Sequence, residues 1–285
     1  MLDLERLSPT VWRATLNSFE DRNALSAAMR GRILLAADEV VAAGGDVLIV
    51  RGSNGVFSSG YKLDPEVMQP ATVLEDRARL VAVADFHRQF RQLSLITIAE
   101  IRGHCVAGGT DLMLASDIAV AADDASIGVP NVRGVGITLL LPMWSWLVGP
   151  QRAKLLALTG DRIRGDEAAQ MGLVAASLPE PLLAERVVAL AERIAMVPRE
   201  LLDTVKQSLN VAWDSAGMSA ALVRAAELDA LSHASRPVVE FWEDVENNGI
   251  RRAVRARDDR FDGGRVLDLL KASADHGVGS VASSR

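Results

Sequence analysis

The chain has 285 residues, of which 49% are hydrophobic, so it can bury a sizeable core as one large domain or one domain with an appendage. Its net charge of −6 comes from interspersed charges of both signs, which excludes the concentrated basic surface that a nucleic acid requires. The single cysteine, Cys105, excludes an internal disulfide framework and a multi-cysteine zinc site.

The first residues, MLDLERLSPTVW, have no basic segment followed by an apolar one, so we expect no signal peptide. No apolar run approaches the ~18 to 20 residues of a membrane span. The four histidines are scattered without metal-ligand spacing, and neither of the common phosphate-binding glycine motifs occurs. We therefore expect a cytoplasmic protein with no bound metal and no contact with a membrane or a nucleic acid.

Strand and helix patterns alternate along the first part of the chain. A strand is predicted over Val11–Leu16 and a helix over 26–43, with Ser26 as N-cap and the pair Gly44-Gly45 as its stop. The apolar run over 46–52 ends in glycine and predicts a buried strand. The stretch SNGVFSSGYKL that follows predicts a glycine- and serine-rich turn.

The same order recurs further along. A helix is predicted over 74–93 and a strand over 96–103, followed by a second glycine turn and a helix that begins at Thr110-Asp111. Short strands are predicted over 117–122, 125–130 and in LVAASLP, and helices over 149–160, 166–172 and most of 180–260. This order predicts an α/β protein of stacked ββα units over 1–195, a helical region over 196–262 and a flexible tail over 263–285.

Both glycine turns follow an apolar strand and lead into a helical pattern. Such a turn leaves backbone N–H groups unpaired and lets a ligand approach closely. Two turns with one donor each could hold a single carbonyl oxygen and stabilise an enolate or oxyanion, where one donor is worth ~3 kcal/mol. Each turn by itself is equally typical of a tight chain reversal.

Five blocks in order carry a family resemblance: RNALS, VLIVRGSNGVFSSGYKLD, IRGHCVAGGTDLMLASDIAVA, ASIGVP and LTGDRIRGDEAAQMGLV. From about residue 11 to residue 178 the chain resembles the crotonase superfamily of enoyl-CoA hydratases and isomerases, with one shortened loop near Thr138. The resemblance implies a crotonase-type spiral of ββα units with a C-terminal helical trimerisation region. It also implies an acyl-CoA substrate, and no cofactor beyond the coenzyme A moiety of that substrate.

The resemblance assigns roles to both turns. It implies that the backbone N–H groups of Ser59 and Gly108 hold the thioester oxygen. Arg22 and Lys62 could add positive charge near the phosphates of coenzyme A, or each could be a solvent-exposed side chain without a role in binding. The residues implied to bind coenzyme A are Arg22, Ala24, Ser59, Gly60, Tyr61, Lys62 and Leu63.

Hydratases of this family add water with two glutamates, which map onto Asp111 and Asn131. An asparagine holds water but cannot carry its proton, which forfeits an acid–base contribution of ~10² to 10⁴-fold. Aspartate is one methylene shorter than glutamate, and a displacement of ~1 Å can cost ~10²-fold. We therefore favour isomerisation over hydration, with Asp111 taking a proton from C2 and returning it to C4. The structural alternatives are helix capping for Asp111 and a loop role for Asn131.

Three further residues are candidates for the acyl pocket. His104 could approach the acyl group or be a packed, hydrogen-bonded histidine. Arg133 could meet a polar acyl group or form an ion pair, and Trp144 could line the pocket or pack in the core. Cys105 is expected to be a core residue.

His87 stands beside Arg88 in a helical pattern, so we expect it on a solvated face.

Other functions and the assembly remain open. Acyl-CoA or β-diketone hydrolysis could use water activated by Asp111 or His104, and a non-catalytic acyl-CoA-binding protein would account for the missing glutamate. Dehalogenation is disfavoured because GVGITLLLP lacks a nucleophilic aspartate, whereas decarboxylation stays an alternative. The resemblance implies a homotrimer or a dimer of trimers, with apolar helical residues in the interface: Leu201, Val205, Leu209, Leu222 and Leu228.

Overall fold

The structure is a computed structural model that describes residues 1–63, 72–261 and 265–270. The strands of this part are β1 (Leu2–Arg6), β2 (Val11–Leu16), β3 (Val47–Gly52), β4 (Ile96–Ile101), β5 (His104–Val106), β6 (Ile118–Ala122), β7 (Ser126–Gly128), β8 (Arg162–Arg164) and β9 (Ala176–Leu178). The helices are α1 (Ala27–Ala42), α2 (Val73–Arg91), α3 (Gly108–Ala115), α4 (Leu141–Leu147), α5 (Pro150–Thr159), α6 (Gly165–Met171), α7 (Glu180–Ile194), α8 (Arg199–Ser215), α9 (Met218–His233), α10 (Arg236–Asn248), α11 (Ile250–Asp259) and α12 (Val266–Leu269). Two short 3-10 helices cover Phe19–Asp21 and Pro130–Arg133.

The strands form two separate sheets. The larger sheet has the order β1-β2-β3-β4-β6-β9 and is parallel apart from the antiparallel β1–β2 pair. The smaller sheet has the order β5-β7-β8. Successive units place one strand in each sheet, as β4 with β5 and β6 with β7 do. This arrangement confirms the prediction of an α/β protein built from repeated ββα units.

The core lies between the larger sheet and its helices. Strand β4 is buried along its whole length and β3 along its first four residues, as expected for central parallel strands. Helix α7 packs across β2, β3, β4 and β6, and helix α9 packs along α2. The side chains of Phe57 and Trp144 are among the largest that are fully buried.

Local capping signals explain several helix ends. The Ser26 hydroxyl accepts the Met29 N–H at 3.1 Å, which confirms the predicted N-cap of α1. Helix α2 begins with a capping box between Thr72 and Glu75. Helix α3 begins at Gly108, two residues before the prediction, because the turn ends at Ala107 with a φ of 51°.

The sequence-based prediction lacked the strands β1, β5 and β8 and the helices α4 and α12. Strand β1 is an edge strand whose sequence LDLER carries three charges, so its apolar pattern is weak. Helix α4 has seven residues and lies in an apolar run that shows no periodicity. None of the described helices is long and apolar enough to cross a membrane.

The C-terminal helices only partly match the predicted interface residues. Leu201, Val205, Leu209 and Leu228 are exposed, whereas Leu222 is buried at 5% exposure and was wrongly assigned to the surface. Leu222 lies on α9, which packs against α2, and its side chain belongs to the main hydrophobic core.

The predicted flexible tail is wrong for the part of it that the structure describes. Residues 265–270 contain helix α12, where the Val266 N–H donates to Asp161 at 2.7 Å. The Arg265 side chain lies 2.7 Å from Glu167. Residues 262–264 and 271–285 lie outside the described residues.

A buried ion pair ties helix α8 to the sheet. The Lys206 ammonium lies 2.8 Å from Asp117 Oδ2 and donates to the Leu95 carbonyl at 2.6 Å. The Lys206→Met substitution is expected to cost about 3 kcal/mol of unfolding free energy, because the Asp117 carboxylate would lose its counter-charge. Denaturant unfolding measures this loss. The matched exposed control, Arg88→Met, should cost less than about 1 kcal/mol, and equal losses would contradict the prediction.

Candidate active site

Two paired backbone segments bring the glycine turns together. Ser58 forms a parallel bridge with Cys105, in which the Ser58 N–H donates to the His104 carbonyl at 3.0 Å. The Val106 N–H donates back to the Ser58 carbonyl at 3.1 Å. Counting three residues beyond each bridge partner reaches Tyr61 in the first turn and Gly108 in the second. The parallel register therefore places these two positions side by side.

Glycines allow the two turns to approach closely. A Cβ atom at Gly60, whose φ is +102°, would lie 3.0 Å from the Gly108 nitrogen and 2.9 Å from the Ala107 Cβ. A Cβ atom at Gly109 would lie 2.8 Å from the Ser58 carbonyl oxygen. These contacts are closer than a real side chain tolerates, so glycine is required for the turn-to-turn approach.

The unpaired donors differ in part from those expected. The Ser59 N–H donates to the Arg22 carbonyl at 3.0 Å, so the assignment of this group to the thioester oxygen was wrong. Among the described residues, the N–H groups of Tyr61 and Gly108 have no hydrogen-bond acceptor. The Gly108 N–H is therefore free to act as the predicted donor of the second turn, and in the first turn the candidate donor is the N–H of Tyr61 and not that of Ser59.

The reason for this shift is a contact with an earlier segment. The Leu25 N–H donates to the Gly60 carbonyl at 2.7 Å, and the Ser58 hydroxyl donates to the Asn23 carbonyl at 2.8 Å. Together with the Ser59 bond to Arg22, these contacts join residues 22–25 to the first turn. The sequence motif alone gave no sign of which N–H groups this pairing would occupy.

Asp111 lies one helical turn beyond Gly108 and is completely buried, at 0% exposure. Its Oδ2 atom accepts the Tyr61 hydroxyl at 2.7 Å and the Leu139 N–H at 3.1 Å. Its Oδ1 atom accepts the Leu140 N–H at 3.0 Å. The capping alternative is wrong, because Ala107 occupies the N-cap of α3 and Asp111 bonds to other segments.

Burial controls the acidity of this cluster. Desolvation raises the pKa of Asp111 to about 7, although hydrogen bonds from Tyr61, Leu140 and Leu139 act in the opposite direction. Burial and the nearby Asp111 charge raise the pKa of Tyr61 well above its ordinary value, so its hydroxyl remains a donor. Asp111 therefore has the acidity of a general base that works near neutral pH.

This acidity predicts a pH profile. A base must be ionised to accept a proton, so activity that uses Asp111 should be low below pH 7, where the carboxyl is protonated. It should rise through about pH 7 to a plateau at higher pH. Initial rates across pH 5 to 9, with saturating and limiting substrate, measure the profile. An activity that is flat down to about pH 5 would contradict this role for Asp111.

His87 is buried, and its prediction as a solvated residue was wrong. Its Nε2 atom lies 2.7 Å from the Tyr61 hydroxyl oxygen, and its side chain is 0% exposed. Burial, followed by the nearby Arg30 charge, lowers the pKa of His87 to about 3, which makes it a neutral histidine. The helical spacing could have predicted this burial, because His87 lies on the same helix face as the apolar residues Leu80, Val83 and Phe90, at intervals of three or four residues.

A second buried network, also missed, supports the loop that binds Asp111. The Asp229 side chain on α9 accepts the Ile137 N–H at 2.7 Å, two residues before Leu139. His233 lies 3.3 Å from Asp229 and 2.6 Å from Asp76 on α2. Burial raises the pKa of Asp229, and its charge in turn helps to raise the pKa of Asp111.

Asn131 lies in the 3-10 helix Pro130–Arg133 and shapes the same loop. Its side-chain Nδ2 donates to the Gly136 carbonyl at 3.1 Å, and its backbone carbonyl accepts the Val135 N–H at 2.8 Å. Its Oδ1 atom is buried and has no hydrogen-bond partner among the described residues. These contacts support the loop role, and Oδ1 remains available as an acceptor.

The three acyl-pocket candidates do not join the Asp111 cluster. Arg133 forms an ion pair with Asp161, donates to the Thr159 carbonyl at 2.9 Å and stacks on Phe261, so the ion-pair interpretation holds. His104 is exposed, which makes the packed-histidine interpretation wrong. Trp144 is fully buried in the core. Cys105 is also buried there, as expected.

The predicted coenzyme A residues lie along one edge of the first turn. Arg22 and Lys62 are exposed, and Lys62 lies 3.2 Å from Asp21. Ala24 is buried beneath them, and Leu63 packs against an apolar cluster that includes Val135. The structure thus brings the predicted residues of 22–24 and 59–63 together. Within the described ranges, no group of acidic, histidine or cysteine side chains could hold a metal ion.

Comparison with known protein sequences identifies a family for this chain. A sequence model of the enoyl-CoA hydratase/isomerase family matches residues 6–239. The Mycobacterium tuberculosis protein named "Putative enoyl-CoA hydratase EchA13" is 30% identical over 77% of this chain and 76% of its own length. The 4-chlorobenzoyl coenzyme A dehalogenase-1 of an Arthrobacter species is 32% identical over 61% of this chain and 63% of its own length.

The fold agrees as well. The crystal structure of an enoyl-CoA hydratase/isomerase from Xanthobacter autotrophicus Py2 matches with a TM-score of 0.84 and 36% identity, over 91% of this chain and 98% of that one. An enoyl-CoA hydratase from Mycobacterium smegmatis matches with a TM-score of 0.85 and 28% identity, over 92% and 94% of the two chains. The predicted crotonase fold is therefore confirmed. This chain belongs to the enoyl-CoA hydratase/isomerase family of enzymes, within the crotonase superfamily.

Proposed function

We propose that this enzyme binds a coenzyme A thioester, stabilises its enolate and moves a double bond from the β,γ to the α,β position. The observation that carries the proposal is one buried carboxylate, Asp111, one helical turn beyond Gly108, whose N–H group and that of Tyr61 have no acceptor among the described residues. Family membership supports the thioester substrate, because the related proteins are named as acting on coenzyme A derivatives.

The proton transfer requires a single base. The thioester oxygen accepts hydrogen bonds from the N–H groups of Tyr61 and Gly108. The Asp111 carboxylate removes a proton from C2, and the electron pair of that C–H bond forms the enolate. Each N–H group that faces the developing oxyanion contributes ~3 kcal/mol. The protonated Asp111 then returns the proton to C4, which leaves the double bond between C2 and C3.

Hydration is disfavoured because the second proton carrier is missing. The Asn131 amide lies in the 3-10 helix Pro130–Arg133 and donates to Gly136 through Nδ2, while its buried Oδ1 can only accept. It can hold a water molecule but cannot take its proton. Isomerisation needs no activated water, so the residues present suffice for it.

Coenzyme A is expected to lie against the edge formed by residues 22–25 and 59–63. Hydrogen bonds such as that from Leu25 to Gly60 hold this edge together. The exposed cations of Arg22 and Lys62 would meet the phosphate groups.

The test is product analysis with a panel of 2-enoyl-, 3-enoyl- and 3-oxoacyl-CoA thioesters. Wild type is expected to convert the 3-enoyl into the 2-enoyl thioester, detected by NMR and by absorbance of the conjugated product. The matched variant Asn131→Glu should gain water addition to the 2-enoyl thioester, detected by mass. Efficient hydration by wild type, or no double-bond migration with any 3-enoyl thioester, would overturn the proposal.

The hydrolase alternative receives less support. It would be favoured by His104 directed at the thioester, but the His104 side chain is exposed and makes no hydrogen bond to Asp111 or to the turns among the described residues. Release of free coenzyme A thiol in the same panel would reinstate it.

We also propose a homotrimer, or a dimer of trimers, built through α8 and α9. Leu201, Val205, Leu209 and Leu228 expose 45% to 64% of their surfaces on these helices. Leu201, Val205 and Leu209 recur every four residues along one face of α8, and an exposed apolar face of this kind marks an interaction site. Light scattering after size exclusion would show a trimer or hexamer, and a monomer at micromolar concentration would contradict the assembly.

A further inference from the structure

The Asp111 carboxylate is the acceptor end of a buried hydrogen-bond chain. The Tyr61 hydroxyl lies 2.7 Å from Asp111 Oδ2 and also 2.7 Å from His87 Nε2. Both partners are completely buried. The chain joins the first turn, helix α2 and helix α3 at one point.

The protons of this chain have only one consistent arrangement when Asp111 is ionised. The carboxylate can only accept, so the single proton of the Tyr61 hydroxyl points at Asp111. The contact between the Tyr61 oxygen and His87 Nε2 then needs a proton from the histidine, since two bare acceptors would otherwise face each other. His87 therefore carries its proton on Nε2, and its Nδ1 atom, which has no partner among the described residues, is unprotonated.

We propose that His87 and Tyr61 are positioning residues that form a one-directional relay, which favours the ionised form of Asp111 and fixes the oxygen with which it accepts the substrate proton. This inference rests on the proposed function only in its reference to the substrate. The hydrogen-bond chain and its effect on Asp111 stand independently of which thioester is used.

The geometry selects one oxygen of Asp111 for proton transfer. Oδ2 already accepts from the Tyr61 hydroxyl and the Leu139 N–H, while Oδ1 accepts, among the described residues, only from the Leu140 N–H. A carboxylate oxygen offers about two lone-pair positions. Oδ1 therefore keeps a free lone pair for the proton at C2, and Tyr61 prevents the carboxylate from turning over.

Other charged groups face the relay from neighbouring elements. Arg30 on α1 lies with its guanidinium carbon 5.9 Å from the centre of the Tyr61 ring and disfavours a charged His87. Asp229 on α9 raises the pKa of Asp111, because its negative charge favours the protonated form of the Asp111 carboxyl. The hydrogen bond from the Tyr61 hydroxyl, together with those from the Leu139 and Leu140 N–H groups, lowers the pKa of Asp111 against the effects of burial and Asp229.

The test is a titration of the Asp111 carboxyl that does not depend on turnover. Difference infrared spectroscopy of the full chain detects the protonated carboxyl, and the band lost in Asp111→Asn identifies it. Tyr61→Phe keeps the ring over Gly108 but removes the donor, so the titration midpoint should move up by at least one pH unit. His87→Leu should move it in the same direction by less, and His87→Gln, whose amide can donate to Tyr61, should restore it.

Kinetics then relate the relay to the proposed reaction. In Tyr61→Phe the rising limb of the pH–rate profile should move by the same amount as the infrared midpoint, with kcat reduced about tenfold at pH 7 and KM nearly unchanged. Circular dichroism and thermal unfolding check that each variant folds.

An unchanged infrared midpoint in folded Tyr61→Phe, or equal effects of His87→Leu and His87→Gln, would overturn the relay. The expected midpoints without any isomerase activity would instead refute the proposed function and leave the relay intact.

Discussion

Asp111→Asn is expected to reduce double-bond migration by about 10² to 10⁴-fold, the usual contribution of a general acid–base group. Asparagine has nearly the same size as aspartate, but its single carbonyl oxygen can accept either the Leu140 N–H or the Leu139 N–H with the Tyr61 hydroxyl, and its NH2 group accepts neither. The N–H groups of Tyr61 and Gly108 are unchanged, and thioester binding should persist. Steady-state rates and calorimetric binding of a saturated acyl-CoA separate these two effects. Loss of both together would contradict the role of Asp111 as base.

The same variant should also change how the free energy of unfolding depends on pH. The pKa of Asp111 rises from the ordinary 3.8 to about 7 on folding, so between these values the folded state holds more protons than the unfolded state. The contribution of Asp111 to stability therefore falls as pH rises through this window, and the loss is complete above it. Asparagine does not titrate. The stability of Asp111→Asn relative to wild type should accordingly increase from pH 5 to pH 8, as measured by denaturant unfolding.

Gly60→Ala is expected to reduce turnover by about 10²-fold or more, close to the effect of removing an oxyanion donor. Its Cβ would lie 3.0 Å from the Gly108 nitrogen and 3.0 Å from the Val106 carbonyl oxygen. Both contacts involve backbone that cannot yield without moving a turn. The two N–H groups would separate, and the enolate would lose stabilisation. The loss should appear mainly in kcat, because the enolate gains more from these donors than the thioester does.

A matched glycine separates this effect from backbone strain. Gly55 also has a positive φ, +69°, but a Cβ there would meet no atom within 4 Å. Gly55→Ala should lower stability by about 1 to 2 kcal/mol, the cost of a left-handed alanine, and leave kcat near wild type. If both variants lost activity equally, strain in the turn and not the N–H pair would be the cause.

Much of the fold follows from local sequence signals. The caps of α1, the buried strand β3 and the glycine turns depend on contacts within a few residues, so the pattern of the chain predicts them. The short helix α4 and the edge strand β1 escaped prediction because neither has enough periodicity. The two candidate catalytic positions, Asp111 and Asn131, were identified from the family resemblance and not from any local property.

The site itself depends on distant contacts. Tyr61 is separated from His87 by 26 residues and from Asp111 by 50, and the packing of α2 over the first turn brings the three together. Tyr61 is the single tyrosine of the chain and stands in a glycine turn, which was a usable signal. No local pattern could have shown that its hydroxyl bonds to the base.

The sequence by itself determined the alternation of strands and helices, the two glycine turns, and the replacement of one glutamate by aspartate and another by asparagine. Only the tertiary structure decided that Tyr61 and not Ser59 offers the free N–H group, because the contact with Arg22 consumes the other. It also decided that Asp111 has a pKa of about 7, since that value follows from complete burial and three hydrogen bonds. Desolvation and hydrogen-bond pairing depend on every segment that surrounds a group, whereas periodicity, capping and turn chemistry depend on its neighbours along the chain.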